Sequence, residues 1–139
     1  MEKIFVKSLF LLLFLATSCN HKDDGIEETN ASDLIGSWSK THNQGDGLTI
    51  STYTFESDFT YEFEFESFGY NGKPITELTG SSEIHGTFEV ETDSVIFRTS
   101  SSGFLKSKFW IEDDVLHLEY ISYPADAPIL SQLEYNRVD

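Results

Sequence analysis

Residues 53–66 read "YTFESDFTYEFEFE", and aromatic and polar side chains alternate along them. Every odd-numbered position except Ser57 is aromatic, and every even-numbered position is Thr, Glu or Asp. Alternation of this kind indicates a β-strand with one buried side. A single strand would exceed the usual length of ~3–10 residues, so we predict a hairpin that turns at 56–58, with the rings of both arms on one face. The turn type stays open because Phe59 is unfavourable at positive φ.

Similar alternating segments recur along the rest of the chain, separated by turn residues. They predict eight strands, at about 36–42, 48–55, 60–67, 82–91, 95–99, 104–112, 115–121 and 130–137. Regularly spaced short strands are typical of an all-β sandwich or barrel. Eight antiparallel strands in sequence order favour a closed up-and-down barrel, which removes unpaired edges. The two long connections are predicted at 68–81 and 122–128.

The N-terminal segment has the composition of a secretory signal peptide. Lys3 and Lys7 precede the apolar run "SLFLLLFLATSC", which ends at Cys19, the only cysteine of the chain. The run is too short for a membrane span, which needs about 20 apolar residues. A basic start followed by a short apolar region is typical of a cleaved signal. We therefore predict a signal peptide at 1–18.

The end of this segment, "LATSC", resembles the lipobox of bacterial lipoproteins. The resemblance implies that Cys19 becomes the acylated N-terminus and anchors the protein in a membrane. The polar, acidic stretch that follows predicts a flexible tether over 19–32. Its "KDD" resembles the tag that directs lipoproteins to the surface of some Gram-negative bacteria. We therefore expect an outer-membrane, lipid-anchored protein on the cell surface, with one folded domain at 33–139.

The charge of the chain excludes several classes of partner. Asp and Glu number 24 against 9 Lys and Arg, which gives a formal net charge of −15. Such a surface repels nucleic-acid phosphates and anionic lipid headgroups. Solubility of an exposed, monomeric domain explains the charge, and binding of a cationic ligand or a divalent ion is the alternative.

The first predicted strand begins with a motif that resembles one of a known family. Gly36-Ser37-Trp38 resembles the Gly-x-Trp motif with which lipocalins begin their first strand, and Ser32 or Asp33 is expected to cap a short helical turn before it. In lipocalins an Arg late in the last strand packs over this Trp and closes the barrel, and Arg137 stands at the matching place. The chain also resembles short lipocalin-like domains of bacterial lipoproteins in the order of Trp38, 55–58, 86–90, 93–97, 116–120 and 135–137.

Chemistry-bearing motifs are absent from the sequence. His21, His42, His85 and His117 lie on separate segments, and no His/Cys/Asp/Glu spacing matches a zinc signature. We find no nucleophile paired with a base, no phosphate-binding loop and no dinucleotide fingerprint. Glu62 and Glu64 are expected on a solvated outer stripe. We therefore expect a protein that is not an enzyme and that uses no cofactor and no metal.

Two functions from different classes remain open. In the first, the barrel is hollow and binds a small hydrophobic ligand, and the tyrosine hydroxyls orient it. The candidate cavity residues are Tyr53, Phe55, Tyr61, Phe63, Phe65, Phe88, Phe97, Phe109, Leu118 and Tyr120. In the second, these rings fill the barrel, and the acidic surface, the two long loops or an exposed Trp110 bind a protein or a glycan.

Overall fold

A computed structural model of the chain describes residues 30–100, 103–122 and 127–138. The predictions made for the signal peptide, for Cys19 and for most of the tether lie outside the described residues. Among the described residues, no helix combines the length and the hydropathy that a membrane span requires.

The predicted fold class is confirmed: the strands form a closed antiparallel barrel in the order β1 to β8, and each pairs with its sequence neighbours. A four-residue helix, α1, covers Ala31–Leu34 and precedes the first strand. The strands are β1 (Gly36–Gln44), β2 (Gly47–Phe55), β3 (Thr60–Phe68), β4 (Leu78–Glu91), β5 (Ser94–Thr99), β6 (Phe104–Glu112), β7 (Val115–Ser122) and β8 (Ile129–Val138).

The opening stretch forms the β2–β3 hairpin, as the alternation predicts. Tyr53 lies opposite Phe63 and Phe55 lies opposite Tyr61, so the rings of both arms share the inner face. The turn places Phe59 at φ 64°, in the left-handed region that is costly for a bulky residue. Asp58 holds this turn because its carboxylate accepts hydrogen bonds from the backbone N–H and the hydroxyl of Thr60, at 3.1 and 2.6 Å.

One end of the barrel, here called the base, contains α1 and the β2–β3, β4–β5 and β6–β7 hairpins. Its interior is filled by a single cluster of apolar side chains around Trp38, Phe55, Phe88, Phe109 and Leu116, all of which are at most 2% exposed. Leu34 of α1 is also fully buried against this cluster. Because each such side chain stabilises the fold by about 1.5–3 kcal/mol on burial, the base is the stable half of the molecule.

Two details of the sequence prediction need correction. Strand β4 begins at Leu78, four residues before the predicted start, so the loop predicted at 68–81 is shorter. Gly80 and the serines after it are weak strand formers, but pairing with β3 as far as Phe68 carries the strand through them. The helix cap is Asn30, whose backbone N–H donates to the Asp33 carboxylate at 2.8 Å, and α1 starts within the segment assigned to the tether.

The opposite end of the barrel, here called the mouth, is less completely paired. Pairing between β1 and β8 covers three residue pairs and ends at Ser39 and Asn136. Pairing between β6 and β7 ends at Lys108 and Glu119, and pairing between β4 and β5 ends at Gly86 and Thr99. In the described part of the chain, the upper strands therefore separate into the β1–β4 sheet, the β5–β6 hairpin and the β7–β8 hairpin.

Candidate functional site

The mouth half of the barrel has an apolar inner wall that is not filled. Side chains alternate between inside and outside along a strand, and Ile84 and Leu105 lie opposite Phe63 and Phe97 on the inner face. Both are nevertheless 45% exposed, and Ile129, also on the inner face, is 51% exposed. Large apolar side chains that face inward and are still exposed to solvent line an open space in the upper barrel, here called the cup.

The ten residues predicted to line a cavity divide between the base and the cup. Six are buried in the core cluster and fill the lower barrel: Phe55, Tyr61, Phe88, Phe97, Phe109 and Leu118. Tyr53 and Phe63 are partly buried and lie on top of this cluster, with ring centroids 4.6 Å apart. Phe65 and Tyr120 continue upward as part of the wall of the cup. The lower barrel is filled and the upper barrel is open.

Tyrosine hydroxyls are grouped at the floor of the cup. Burial raises the pKa of Tyr53 far above its ordinary value of 10.0, and the neighbouring Tyr135, Tyr61 and Tyr120 raise it further. Burial also raises the pKa of Tyr135, an effect that the nearby Ser51 hydroxyl opposes. Burial raises the pKa of Tyr61 as well, so the phenols of Tyr53, Tyr61 and Tyr135 are neutral at physiological pH. The floor offers uncharged hydrogen-bonding groups beside aromatic rings, as small-molecule sites do.

The site also contains four residues that were not predicted from the sequence, namely Lys40, Ile84, Leu105 and Ile129. The strand periodicity contains the signal for their direction, because Lys40 follows Trp38 by two residues and Ile84 precedes Phe88 by four. Their exposure also depends on where the pairing between neighbouring strands ends, and no local sequence pattern predicts that point. The wall of the cup is therefore visible only in the folded chain.

The predicted barrel-closing pair lies at the base, below the site. The guanidinium of Arg137 stands over the indole of Trp38, with Cζ 4.1 Å from the ring centroid. The indole N–H donates to the Leu34 carbonyl at 2.7 Å, which ties α1 to β1. This arrangement fixes the floor on which the cup rests.

The outer face carries two groups that the sequence did not place together. Glu62, Glu83 and His85 lie on neighbouring positions of β3 and β4 and have potential ligand atoms within 4.8 Å of one another, all on exposed side chains. Trp110, expected to be exposed, is partly buried and stacks on His117 with ring centroids 4.7 Å apart. Exposed carboxylates of this kind are common without an ion, and the stacked pair explains the orientation of His117.

A shallow depression of about 440 Å³ also lies at the base, open to solvent. It is lined by Phe59, Thr87, Phe88, Glu89 and Val90. Phe88 is its only residue from the predicted cavity set, and its side chain belongs to the core. The depression is a surface feature beside the β2–β3 turn and is separate from the cup.

No family model matches this sequence, and no curated protein matches it significantly. The assignment therefore rests on the structure. The chain is an eight-stranded antiparallel up-and-down barrel with a filled base, an architecture compatible with the lipocalin-like fold.

Proposed function

We propose that this protein binds a small apolar molecule in the cup. The observation that carries the proposal is the exposure of Phe65, Ile84, Leu105 and Ile129, which are 36–51% exposed although they face the interior of the barrel. Covering one large apolar side chain contributes about 1.5–3 kcal/mol. A ligand that covers several of them is therefore bound favourably, because it buries apolar surface that is exposed to water in the unliganded barrel.

The shape of the site supports a small ligand more than a macromolecule. Eight-stranded barrels have room for side chains or for one small molecule. Here the aromatic floor around Tyr53 and Phe63 blocks the lower half, so the available space is limited to the upper half. An interaction of the acidic outer surface with a protein or a glycan is the competing function, and it does not require the cup.

The proposal includes the anchor that the N-terminal sequence predicts. We place acyl chains on Cys19, in the outer membrane of a Gram-negative bacterium with the domain at the cell surface. Helix α1 lies at the base, so the tether joins the barrel at the end away from the cup. Residues 20–29 can span roughly 35 Å when extended, which leaves the mouth free to meet ligand. We propose no catalytic activity for this monomeric domain.

A neutral fluorescent probe tests the proposal. N-phenyl-1-naphthylamine should bind the purified protein with enhanced fluorescence and raise its melting temperature by mass action. Ile84→Glu, which places a charge inside the cup, should weaken probe binding at least tenfold. The matched control is Ile121→Glu, because Ile121 is 56% exposed on the outer side of β7. Absence of probe binding, or equal effects of the two substitutions, would exclude the cup as the site.

A further inference from the structure

The basic side chains of the described residues are paired with carboxylates, with one exception. This pairing is expected in a chain with 24 acidic and 9 basic residues. The ion pairs are Lys73–Glu77 at 2.8 Å, Lys106–Glu91 at 3.0 Å, Arg98–Glu89 at 3.2 Å, Arg137–Asp114 at 3.4 Å and Lys108–Asp93 at 3.8 Å. Within the described ranges, Lys40 is the exception, since no carboxylate lies within 4.0 Å of its ammonium.

Lys40 belongs to the inner face of the barrel. It follows the buried Trp38 by two residues on β1 and lies directly opposite Ser51 of β2. Ser51 in turn precedes Tyr53, whose ring lies on the floor of the cup. Lys40 is partly buried, and its backbone lies just above the point where β1 and β8 stop pairing. Its position is therefore the lower wall of the cup.

Along the strands that the structure describes, the inner face offers this ammonium no acidic partner. The strands that the structure describes contain nine glutamates, and all of them alternate with inward-facing residues and so lie on the outer face. These are Glu62, Glu64, Glu66, Glu83, Glu89, Glu91, Glu112, Glu119 and Glu134. In the described strands, the inner face therefore carries the Lys40 ammonium and no carboxylate, whereas all of the glutamates lie on the outer face. A partly buried cation without a counter-ion attracts an anionic group, because screening by water is reduced there.

We infer that the molecule bound in the cup is an amphiphile with an anionic head, such as a single-chain carboxylate, which the Lys40 ammonium holds beside the Ser51 and Tyr135 hydroxyls. This inference rests on the proposed function, since it concerns the same cup. The head lies at the floor, where donors are grouped, and the acyl tail runs upward along Ile84, Leu105 and Ile129 toward the mouth.

The neighbouring groups favour this orientation of the ligand. The Ser51 side chain lies close to the Tyr135 hydroxyl, and burial keeps the phenols of Tyr53 and Tyr135 protonated. Protonated hydroxyls can donate hydrogen bonds to a carboxylate, and hydrogen bonds to charged acceptors are stronger than those between neutral groups. A cationic head would meet Lys40 without a compensating carboxylate.

Three probes with the same twelve-carbon tail test the head-group preference: dodecanoate, dodecanol and dodecyltrimethylammonium, each below its micelle-forming concentration. Their affinities for the purified protein are measured by displacement of N-phenyl-1-naphthylamine. We expect dodecanoate to bind at least tenfold more tightly than dodecanol, and the cationic probe to bind most weakly. Equal affinities for dodecanoate and dodecanol would overturn the inference, whereas failure of every probe to bind would overturn the proposed function itself.

Substitutions at Lys40 test whether its ammonium causes the preference for dodecanoate over dodecanol. Lys40→Met keeps a long side chain and removes the charge, so the affinities for dodecanoate and dodecanol should become equal. Lys40→Arg should retain the preference. The control is Lys106→Met, which removes a lysine from the outer face that is already paired with Glu91. A preference that survives Lys40→Met, or that Lys106→Met abolishes equally, would contradict the role of Lys40.

Discussion

Arg137 and Trp38 form one unit at the base of the barrel, with the guanidinium Cζ 4.1 Å from the centroid of the indole. Together they supply donors to three consecutive carbonyls at the end of α1. Trp38 Nε1 donates to Leu34, and the two Nη atoms of Arg137 donate to Ile35 and Asp33, at 3.2 and 3.0 Å. Carbonyls at a helix end lack partners within the helix, so this pair completes α1 and joins the first and last strands.

Replacing Arg137 with Lys should therefore destabilise the fold. An ammonium cannot reproduce the planar fork that reaches two carbonyls while stacking on the indole. We expect a loss of about 1–3 kcal/mol in the free energy of unfolding, measured by urea denaturation. Arg98→Lys is the control, because the exposed pair with Glu89 should change stability by less than about 0.5 kcal/mol. Equal losses for the two variants would contradict the role given to Arg137.

Gly86 is a second position where one substitution should have a large effect. A Cβ added there would overlap the Arg98 carbonyl oxygen and would lie 2.7 Å from Cε1 of Tyr61, which covers this glycine from the opposite strand. Forcing atoms into a packed site costs about 1–3 kcal/mol. We expect Gly86→Ala to lower the melting temperature clearly.

Gly80 provides the matched control for that substitution. It lies on the same strand, and a Cβ added there would meet nothing within 4 Å. Gly80→Ala should leave stability unchanged or raise it slightly, because it restricts the unfolded chain. A comparable loss at Gly80 would show that β4 tolerates no alanine, independently of the contact with Tyr61.

The buried tyrosines make the fold sensitive to alkali. Burial raises the folded-state pKa of Tyr53, Tyr61 and Tyr135, so above pH 10 the unfolded chain loses these protons before the folded chain does. The contribution of these tyrosines to the free energy of unfolding is therefore fully present below about pH 10 and is lost as the pH rises beyond it. Tyr53→Phe should flatten the decline, measured as urea midpoints between pH 8 and 11. An unchanged decline in this variant would show that Tyr53 does not carry the effect.

The proposed lipid anchor predicts a specific loss of membrane association. Each acyl CH₂ buried in a bilayer contributes about 0.8 kcal/mol, so the protein should partition into the detergent phase and incorporate labelled palmitate. Cys19→Ser should abolish both behaviours. Retention of the variant in the detergent phase would indicate an anchor other than acylation.

The barrel could be predicted from the sequence because strand alternation is a local property. Residues 53–66 show which side chains share a face, and the limit on strand length requires the turn near Asp58. The start of β4 escaped prediction because Gly80 and its serine neighbours are held in the strand by pairing with β3, which is a tertiary effect. Alternation likewise does not distinguish Phe63 from Phe88, because it gives the face of a side chain and not its height in the barrel. Phe88 lies in the core, whereas Phe63 lies on the floor of the cup.

The proximity of Glu62, Glu83 and His85 on the outer face could not be predicted from the sequence. Glu62 and His85 become direct neighbours only through the register of β3 and β4, and spacing along the chain does not indicate their proximity. Lys40 is a similar case. Its residue type and its alternation with Trp38 are visible in the sequence. Its lack of a carboxylate partner among the described residues depends on which side chains the folded strands bring near it.

Methyl NMR of the protein with the neutral probe N-phenyl-1-naphthylamine tests the central claim most directly, because it locates the ligand. With isoleucine and leucine methyl groups labelled, probe protons should show intermolecular contacts to the inner residues Ile84, Leu105 and Ile129. They should show none to Ile121 and Leu130, which are comparably exposed on the outer face. Contacts confined to the outer residues, or no contacts to any labelled methyl at saturating probe, would contradict ligand binding in the cup.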